Sequence, residues 1–261
     1  MPRFKLVIEY AGTRYSGWQI QKNARTVAGE IEHAVGEVTR RREFELYGAG
    51  RTDAGVHALA QVAHLELYTD LPPGALRQRI NDALPTDIHI RSIDKVPHRF
   101  HARHDAVARS YLYQISRRKS AFFKPYLWWV KEALDPDRMR AGAAVFVGMR
   151  NFASFSADES GEKSSRVLVD RLEIAEDGDL LLIRVVGSHF LWRMVRRMVG
   201  VLAAVGRGEL TSAEVSGLLE ERSDLPAALT APASGLFLEA VYYSGDPAPA
   251  PLHAVAHVPS R

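Results

Sequence analysis

The chain has 261 residues, 46% of them hydrophobic, with a formal net charge of +3 and a pI of about 9.1, a composition typical of folded domains rather than bulk disorder. It contains no cysteine, which excludes disulfides, thiolate nucleophiles and cysteine-ligated zinc. Its longest apolar runs, such as 199–205, fall well short of the ~20 residues that a membrane helix requires.

Periodicity in the first part of the chain predicts the element order β-α-β-β-α-β. In chain order we predict a strand at 3–10, a helix from the cap Thr26 to about Arg41, strands at 44–47 and 61–69, a helix opened by Pro73, and a strand at 88–96. This order is that of the ferredoxin-like, split βαβ arrangement.

The second part repeats a similar order. We predict a strand at 108–116, a helix at 136–147, strands at 166–175 and 180–187 joined by a turn at 176–179, helices at 190–205 and 211–221, and a strand at 235–243. The predicted fold is therefore α+β, with two similar halves whose sheets are either joined or face each other across a cleft. The halves are 1–103 and 104–245, and a Pro/Ala-rich tail at 246–261 is predicted to be extended and peripheral.

The predicted loop from Gly48 to His57, GAGRTDAGVH, is the strongest candidate for chemistry. Three glycines in eight residues indicate unusual backbone angles or close approach to a ligand. The loop lacks the Gly-Lys-Ser/Thr of a Walker motif, and Asp53 stands where a dinucleotide fingerprint needs its third glycine. Asp53 could serve as a nucleophile or a general base, and Arg51 would keep it ionised. An ordinary turn with a local Arg–Asp pair is the alternative.

Arginine dominates the basic residues, with 27 arginines against seven lysines. Because guanidinium binds phosphate bidentately and stacks on bases, this favours nucleic acid, although compositional bias explains it equally well. Two histidines and two arginines at 98–103, followed by His104, favour phosphate contact over a metal, because the arginines would repel a cation.

Two further segments place cations where they could reach RNA. On the predicted helix 190–205, Arg193 lies on the same face as Arg196 and Arg197, and a solvated helix face is the alternative. On the strand 108–116, one face carries Arg109, Tyr111 and Tyr113 as a base-stacking platform or as core packing.

Taken together, these segments resemble the TruA family of tRNA pseudouridine synthases. The resemblance covers roughly residues 4–243 and rests on IEYAGTRYSGWQIQ (8–21), GAGRTDAGVHALAQVAH (48–64), RFHAR (99–103), ARSYLY (108–113), NFASF (151–155), SHFLWRMVRRMVG (188–200) and SGLFLEAVYY (234–243). The tail after about Asp246 has no counterpart in the family pattern.

The resemblance implies that Asp53 is the catalytic carboxylate, that Arg51 lies nearby, that Arg196 pairs with Asp53, and that Tyr111 contacts the target base. It also implies an α+β fold of two ferredoxin-like halves whose antiparallel sheets flank a central cleft, a homodimer and no cofactor. The implied substrate is the anticodon stem-loop of tRNA at positions 38, 39 and 40. We further expect contacts to RNA from Arg77, Arg79, Arg99, Arg103, Arg193 and Leu236. No signal peptide precedes the first strand, so we expect a cytoplasmic location.

Conversion of uridine to pseudouridine breaks the glycosidic bond, turns the base and reattaches it through carbon 5. No net redox change occurs, and the base must leave the helical stack to be reached. The sequence leaves three routes for Asp53 open: attack on the ribose, addition to the base, or removal of a ribose proton. It also leaves two other classes of protein open, a non-catalytic RNA-binding protein and an enzyme acting on small nucleotides.

Overall fold

The computed structural model describes residues 1–158 and 164–256. The chain forms two compact units. Unit 1 contains Met1–Val107 together with Phe237–Asp246, and unit 2 contains Ala108–Leu236 together with the segment that begins at Pro247. Each unit combines helices and strands, which confirms the predicted α+β class. Among the described residues, no helix is both long and apolar enough to cross a membrane.

Unit 1 has the predicted element order. Its elements are β1 (Arg3–Tyr10), α1 (Val27–Thr39), β2 (Glu45–Gly48), β3 (His57–Glu66), α2 (Pro73–Ala83) and β4 (Ile88–Val96). The strands lie in the order β4-β1-β3-β2, and each neighbouring pair is antiparallel. This is the ferredoxin-like arrangement that the sequence predicts.

Local sequence explains these elements. Thr26 caps α1 by accepting a hydrogen bond from the Gly29 N–H at 3.3 Å. Val27, Ile31 and Val35 recur every four residues, so they share one buried face of the helix. In β1 the buried residues alternate with less buried ones, and this period of two separates the two faces of the sheet.

Unit 2 contains the remaining elements up to residue 228. They are β5 (Ala106–Ser116), β6 (Trp128–Trp129), α3 (Pro136–Phe146), β7 (Gly148–Asn151), β8 (Arg166–Asp177), β9 (Leu180–Gly187), α4 (Met194–Gly206), α5 (Ser212–Glu220) and α6 (Leu225–Ala228). Strand β9 pairs with both β5 and β8, and β8 pairs with β7, all antiparallel. The short β6 pairs in parallel with β5. Helix α3 packs against α4 and β8.

The last strand, β10 (Leu236–Tyr243), belongs to unit 1 from Phe237 onwards. It pairs in parallel with β3, where the Phe237 and His57 rings stack with centroids 4.7 Å apart. The sequence prediction counts this strand in the half 104–245. Alternation predicts that a strand forms, but it does not specify which strand it pairs with.

The C-terminal segment is attached to unit 2 as far as it is described. Arg184, only 3% exposed, donates to the Ala250 carbonyl at 2.8 Å, and the Gln114 side-chain oxygen accepts from the Val255 N–H at 2.7 Å. The predicted peripheral tail 246–261 extends past the described residues, since 257–261 lie outside them.

Candidate active site

The loop that carries Asp53 joins β2 to β3 and is fixed at both ends. The Ala49 N–H donates to the Val62 carbonyl at 2.7 Å, and the Gln61 side-chain amide donates to the Gly50 carbonyl at 3.0 Å. At the other end, the Val56 N–H donates to the Asp53 carbonyl at 3.1 Å, which closes a tight turn. The backbone around Asp53 is therefore held by hydrogen bonds to strand β3 and by one within the loop itself.

A second loop, residues 11–18, braces the Asp53 loop from the side. The Trp18 N–H donates to the Thr52 carbonyl at 3.1 Å, and the Gly55 N–H donates to the Tyr15 carbonyl at 3.3 Å. The Tyr10 and Thr52 hydroxyls are hydrogen bonded at 2.7 Å. Backbone therefore lies directly against backbone between the two loops.

This close approach requires glycine in the bracing loop. A Cβ added to Gly12 would lie 1.9 Å from the Val56 carbonyl oxygen, and one added to Gly17 would lie 2.5 Å from the Thr52 carbonyl oxygen. Gly17 also has φ of +95°, which L side chains rarely adopt. The glycines that predict the site are those of the Asp53 loop alone, although Gly12 and Gly17 in the motif YAGTRYSGW at 10–18 carry the same signal.

The two loops leave Asp53 accessible. Thr52 is buried at 6% exposure, whereas Asp53 is half-buried and Arg51 is exposed. Thr52, whose backbone and hydroxyl are hydrogen bonded, thus lies between the charged residues Arg51 and Asp53. A carboxylate whose backbone is fixed and whose side chain is within reach of a ligand can act as a nucleophile or as a general base.

In unit 2, Tyr111 is half-buried on β5. Its ring meets the Phe190 ring edge to face, with centroids 5.1 Å apart and an interplanar angle of 84°. The neighbouring Arg109 donates to the Ser188 carbonyl at 2.9 Å. These contacts fix the orientation of both predicted residues on the strand.

Tyr113 is part of the core, so it does not belong to a base-stacking platform. It is fully buried, and its hydroxyl donates to the Pro232 carbonyl at 2.8 Å. Burial raises the pKa of Tyr113 well above 10, and the nearby Arg196 charge acts in the opposite direction. Of the two candidate tyrosines, Tyr111 alone is accessible.

Arg196 lies in the first turn of α4 and is held by a reciprocal pair of hydrogen bonds. Its Nε donates to the Ala231 carbonyl at 2.7 Å, and the Ala231 N–H donates to the Arg196 carbonyl at 3.0 Å. Arg197 has another role, because its guanidinium donates to the carbonyls of Ser154 and Ser156. The guanidinium of Arg196 is therefore oriented by the backbone of unit 2.

The predicted helical arrangement of Arg193 is wrong. Helix α4 begins at Met194, and Arg193 is its N-cap: its carbonyl accepts from the Arg197 N–H at 3.0 Å, but its φ of +61° is not helical, so its side chain is not placed as on a helix from 190. The Met194 N–H instead donates to the Leu191 carbonyl, which makes 191–194 a turn. Arg193 is exposed, with its guanidinium carbon 5.2 Å from the centre of the Trp192 ring.

The other predicted RNA contacts occupy three places. Arg77 and Arg79 lie on α2, where Arg77 is half-buried and donates to the Arg91 carbonyl, and Arg79 is exposed. Arg99 and Arg103 are exposed in one loop, 97–105. Leu236, at the start of β10, is 5% exposed.

The histidine-rich loop 97–105 is joined to β3 through ring nitrogens. His64 accepts a hydrogen bond at Nδ1 from the Ala102 N–H at 3.1 Å, and His101 accepts at Nδ1 from the Arg103 N–H at 3.1 Å. Burial lowers the pKa of His64 to about 4, helped by the positive charge of Arg3. Within residues 1–158 and 164–256, no group of three or more His, Cys, Asp or Glu side chains could hold a metal ion.

Comparisons with known proteins identify relatives along nearly the whole chain. A family model described as tRNA pseudouridine synthase matches residues 6–105 and 143–244. A protein named tRNA pseudouridine synthase A from Rhodopseudomonas palustris (strain BisA53) is 42% identical over 250 residues, covering 93% of this chain and 100% of the relative. A protein of the same name from Brucella ovis is 39% identical over 249 residues, covering 94% of this chain and 99% of the relative.

One solved structure is similar to this chain only at a low level. A crystal structure of a Cbf5-Nop10-Gar1 complex matches 77% of this chain and 45% of its own chain, at 13% identity and a TM-score of 0.36. Similarity at this level does not support a conclusion about the fold or the function of this chain.

Proposed function

Because the chain belongs to the tRNA pseudouridine synthase family, and is an enzyme that isomerises uridine to pseudouridine in tRNA, we propose that it acts on the anticodon stem-loop at positions 38, 39 and 40 with Asp53 as the catalytic carboxylate. Family membership decides between the three classes that the sequence leaves open. It excludes a pure RNA-binding protein and an enzyme of small nucleotides as the main activity.

The observation that carries the role of Asp53 is how the structure holds its loop. Thr52 is buried and bound on its carbonyl by Trp18 and on its hydroxyl by Tyr10, so the adjacent Asp53 is positioned without being buried. A reacting group must be held in a narrow range of geometry, because a misplacement of ~1 Å can lower the rate about 100-fold. The bracing by residues 11–18 provides that constraint.

The reaction needs no redox partner. The bond from the ribose carbon to nitrogen 1 of the base breaks, and a bond from the same carbon to carbon 5 forms. Carbon 5 loses a proton and nitrogen 1 gains one, so atoms and electrons balance within the nucleotide and the groups that carry protons. We propose that Asp53 assists at the ribose or the base by one of its three open routes, with no cofactor.

Arg196 and Tyr111 are proposed to complete the chemistry. We propose that Arg196 provides the positive charge that holds Asp53 as the carboxylate, as a guanidinium already oriented by Ala231. Tyr111 is proposed to contact the base and to accept the proton from carbon 5, since its ring is fixed by Phe190 and remains half-accessible. Arg51 is proposed to lie beside the reacting groups.

RNA binding is proposed to use exposed guanidinium groups that contact phosphates. Those of Arg79, Arg99, Arg103 and Arg193 are exposed, and that of Arg77 is anchored by the Arg91 carbonyl. Leu236 is 5% exposed and is proposed as an apolar contact to the substrate. We further propose that the enzyme is a homodimer in the cytoplasm, which light scattering after size exclusion and cell fractionation would test.

The proposed substrate is tested by mapping pseudouridine at single-nucleotide resolution. Unmodified tRNAs that carry uridine at 38, 39 or 40 would be incubated with the protein after dialysis against a chelator, with magnesium added only to fold the RNA. We expect new pseudouridine at these positions and at none in the acceptor or D arms. Modification elsewhere in the same tRNAs would contradict the anticodon assignment.

A further inference from the structure

Unit 1 carries a cluster of aromatic rings in contact with one another, formed by β2, β3 and loop 97–105. Tyr47 on β2 lies opposite His64 on β3, and their rings stack with centroids 5.2 Å apart at 26°. His101 meets the His64 ring at 4.7 Å, and His104 meets His101 at 4.2 Å. These four residues are called the ring cluster below.

The ring cluster presents part of its area to solvent. His64 is 1% exposed, whereas Tyr47 is 49% exposed and His104 is also exposed. Each outer ring is therefore supported on one side by another ring and is accessible elsewhere.

Hydrogen bonds to the backbone fix the two inner rings, His64 and His101, in place before any ligand arrives. His101 Nδ1 accepts from the N–H groups of both Arg103 and His104, and His64 Nδ1 accepts from Ala102. The Tyr243 hydroxyl donates to the Ala102 carbonyl at 2.7 Å, which ties the loop to β10. Stacking on rings that are already ordered costs little conformational entropy.

The charges around the ring cluster suit an anion. Arg99 and Arg103 are exposed in the same loop. Two nearby carboxylates are already engaged, since Glu66 is paired with Arg3 and Asp105 accepts from the His101 N–H. Burial lowers the pKa values of His64 and His101, so both rings are neutral near pH 7 and present aromatic faces.

We propose that the ring cluster, with Tyr47 as its outer ring, binds an unpaired base of the tRNA by stacking, while Arg99 and Arg103 contact the adjoining phosphates. The proposal rests on tRNA being the substrate and adds a second base-binding site to the one that holds the reacting uridine. Rings for bases beside guanidinium groups for phosphates are how proteins hold single-stranded RNA.

The test compares three variants of the full-length protein. Tyr47→Leu removes the ring but keeps an apolar side chain, and Tyr47→Phe keeps the ring. Tyr68→Leu is the matched control, because Tyr68 is a 54% exposed tyrosine of unit 1 outside the ring cluster. Fluorescence anisotropy would give the Kd for unmodified tRNA over a range of salt concentrations, and thermal melting would verify folding.

We expect Tyr47→Leu to weaken tRNA binding about tenfold, the order of magnitude for one lost base–ring stack, with an unchanged salt slope. Tyr47→Phe is expected to restore the affinity, and Tyr68→Leu to bind as the unaltered protein does. Equal affinity of Tyr47→Leu and the unaltered protein would overturn the proposal. So would equal weakening by Tyr68→Leu, or loss of affinity in Tyr47→Phe.

The outcome is separable from that of the proposed function. If the unaltered protein modifies positions 38, 39 and 40 and Tyr47→Leu binds normally, the ring cluster is not a binding site and the proposed function stands. If it modifies other positions and Tyr47→Leu still binds weakly, the anticodon assignment fails and the ring cluster stands.

Discussion

Gly17→Ala should lower both stability and activity, because Gly17 lies against the backbone that positions Asp53. The added Cβ would lie 2.5 Å from the Thr52 carbonyl oxygen, which is backbone and cannot rotate away. The φ of +95° at this position adds strain for any residue with a Cβ. The loop 11–18 or the Asp53 loop must therefore shift.

The expected cost follows from these two effects. A positive φ costs an alanine roughly 1–2 kcal/mol, and an overpacked site costs about 1–3 kcal/mol. We expect a loss of about 3 kcal/mol in the free energy of unfolding. If part of the shift is taken by the Asp53 loop, the rate at saturating tRNA falls by about 10- to 100-fold.

Gly50→Ala is the control within the same site. A Cβ at Gly50 would have nothing within 4 Å, so we expect stability to change by no more than about 0.5 kcal/mol. Urea unfolding would measure both variants, with the slope against denaturant compared to verify that the transition is unchanged. Equal stability and equal rates for Gly17→Ala and Gly50→Ala would refute the role assigned to the bracing loop.

Three further predictions concern the pH dependence, the site and the RNA contacts. The folded pKa of His64 is about 4 against 6.5 for the free side chain, so its contribution to stability is complete above pH 6.5 and is lost as the pH falls towards 4, by roughly 3 kcal/mol in total. Burial lowers this pKa most, the charges of Arg3 and His101 lower it further, and Glu66 and Asp105 raise it. Unfolding curves that do not change between pH 7 and pH 5 would contradict the prediction. Arg196→Lys keeps the charge but loses the planar fork, so its single-turnover rate should fall steeply. Tyr111→Phe should also lower the single-turnover rate steeply if the tyrosine hydroxyl accepts a proton. Full activity of Arg196→Lys would contradict the role of the Arg196 fork, and full activity of Tyr111→Phe would contradict proton transfer to Tyr111. Arg99→Ala should weaken binding of all tRNAs and flatten the salt slope by about 1, whereas weakening for one sequence only would mean that Arg99 contacts a base.

Much of the fold follows from local sequence signals. The alternating strand Arg3–Tyr10 and the almost entirely apolar strand Leu180–Gly187 have the predicted bounds, and Thr26 and Thr211 cap the predicted helices. The predicted bounds of an element are wrong where the backbone conformation departs from what the apolar period indicates. Helix α4 begins four residues later than its apolar period indicates, because Arg193 adopts a left-handed backbone conformation.

The strands that the sequence analysis missed are short and lack a period of their own. β6 has two residues and β7 has four, and each forms because a neighbouring strand offers a free edge. Likewise, β3 begins at His57 rather than Gln61, since its first residues pair with β1 and β10. Pairing between distant segments cannot be read from local alternation.

The residues of the candidate site stay predictions, and local sequence did not indicate which contacts support them. The glycine-framed motif predicts Asp53 as the candidate carboxylate. The contacts from Tyr10, Tyr15 and Trp18 that brace its loop join residues more than 30 positions apart in the chain, so local sequence does not indicate them. The same holds for Tyr113, which shares a strand face with Tyr111 but is buried beneath Pro232 and Gly235. Alternation gives the face of a residue, and burial depends on what covers that face.

The role of Asp53 is tested most directly by a single-turnover assay of Asp53→Asn. The substitution keeps the size of the side chain and removes its charge, and the half-buried position makes a large effect on folding unexpected. Excess enzyme would be mixed with unmodified tRNA, and pseudouridine would be measured over time along with the Kd and the melting temperature. We predict that pseudouridine formation is abolished while tRNA affinity and melting temperature stay close to those of the unaltered enzyme; substantial conversion by Asp53→Asn would contradict the proposal that this carboxylate carries the reaction.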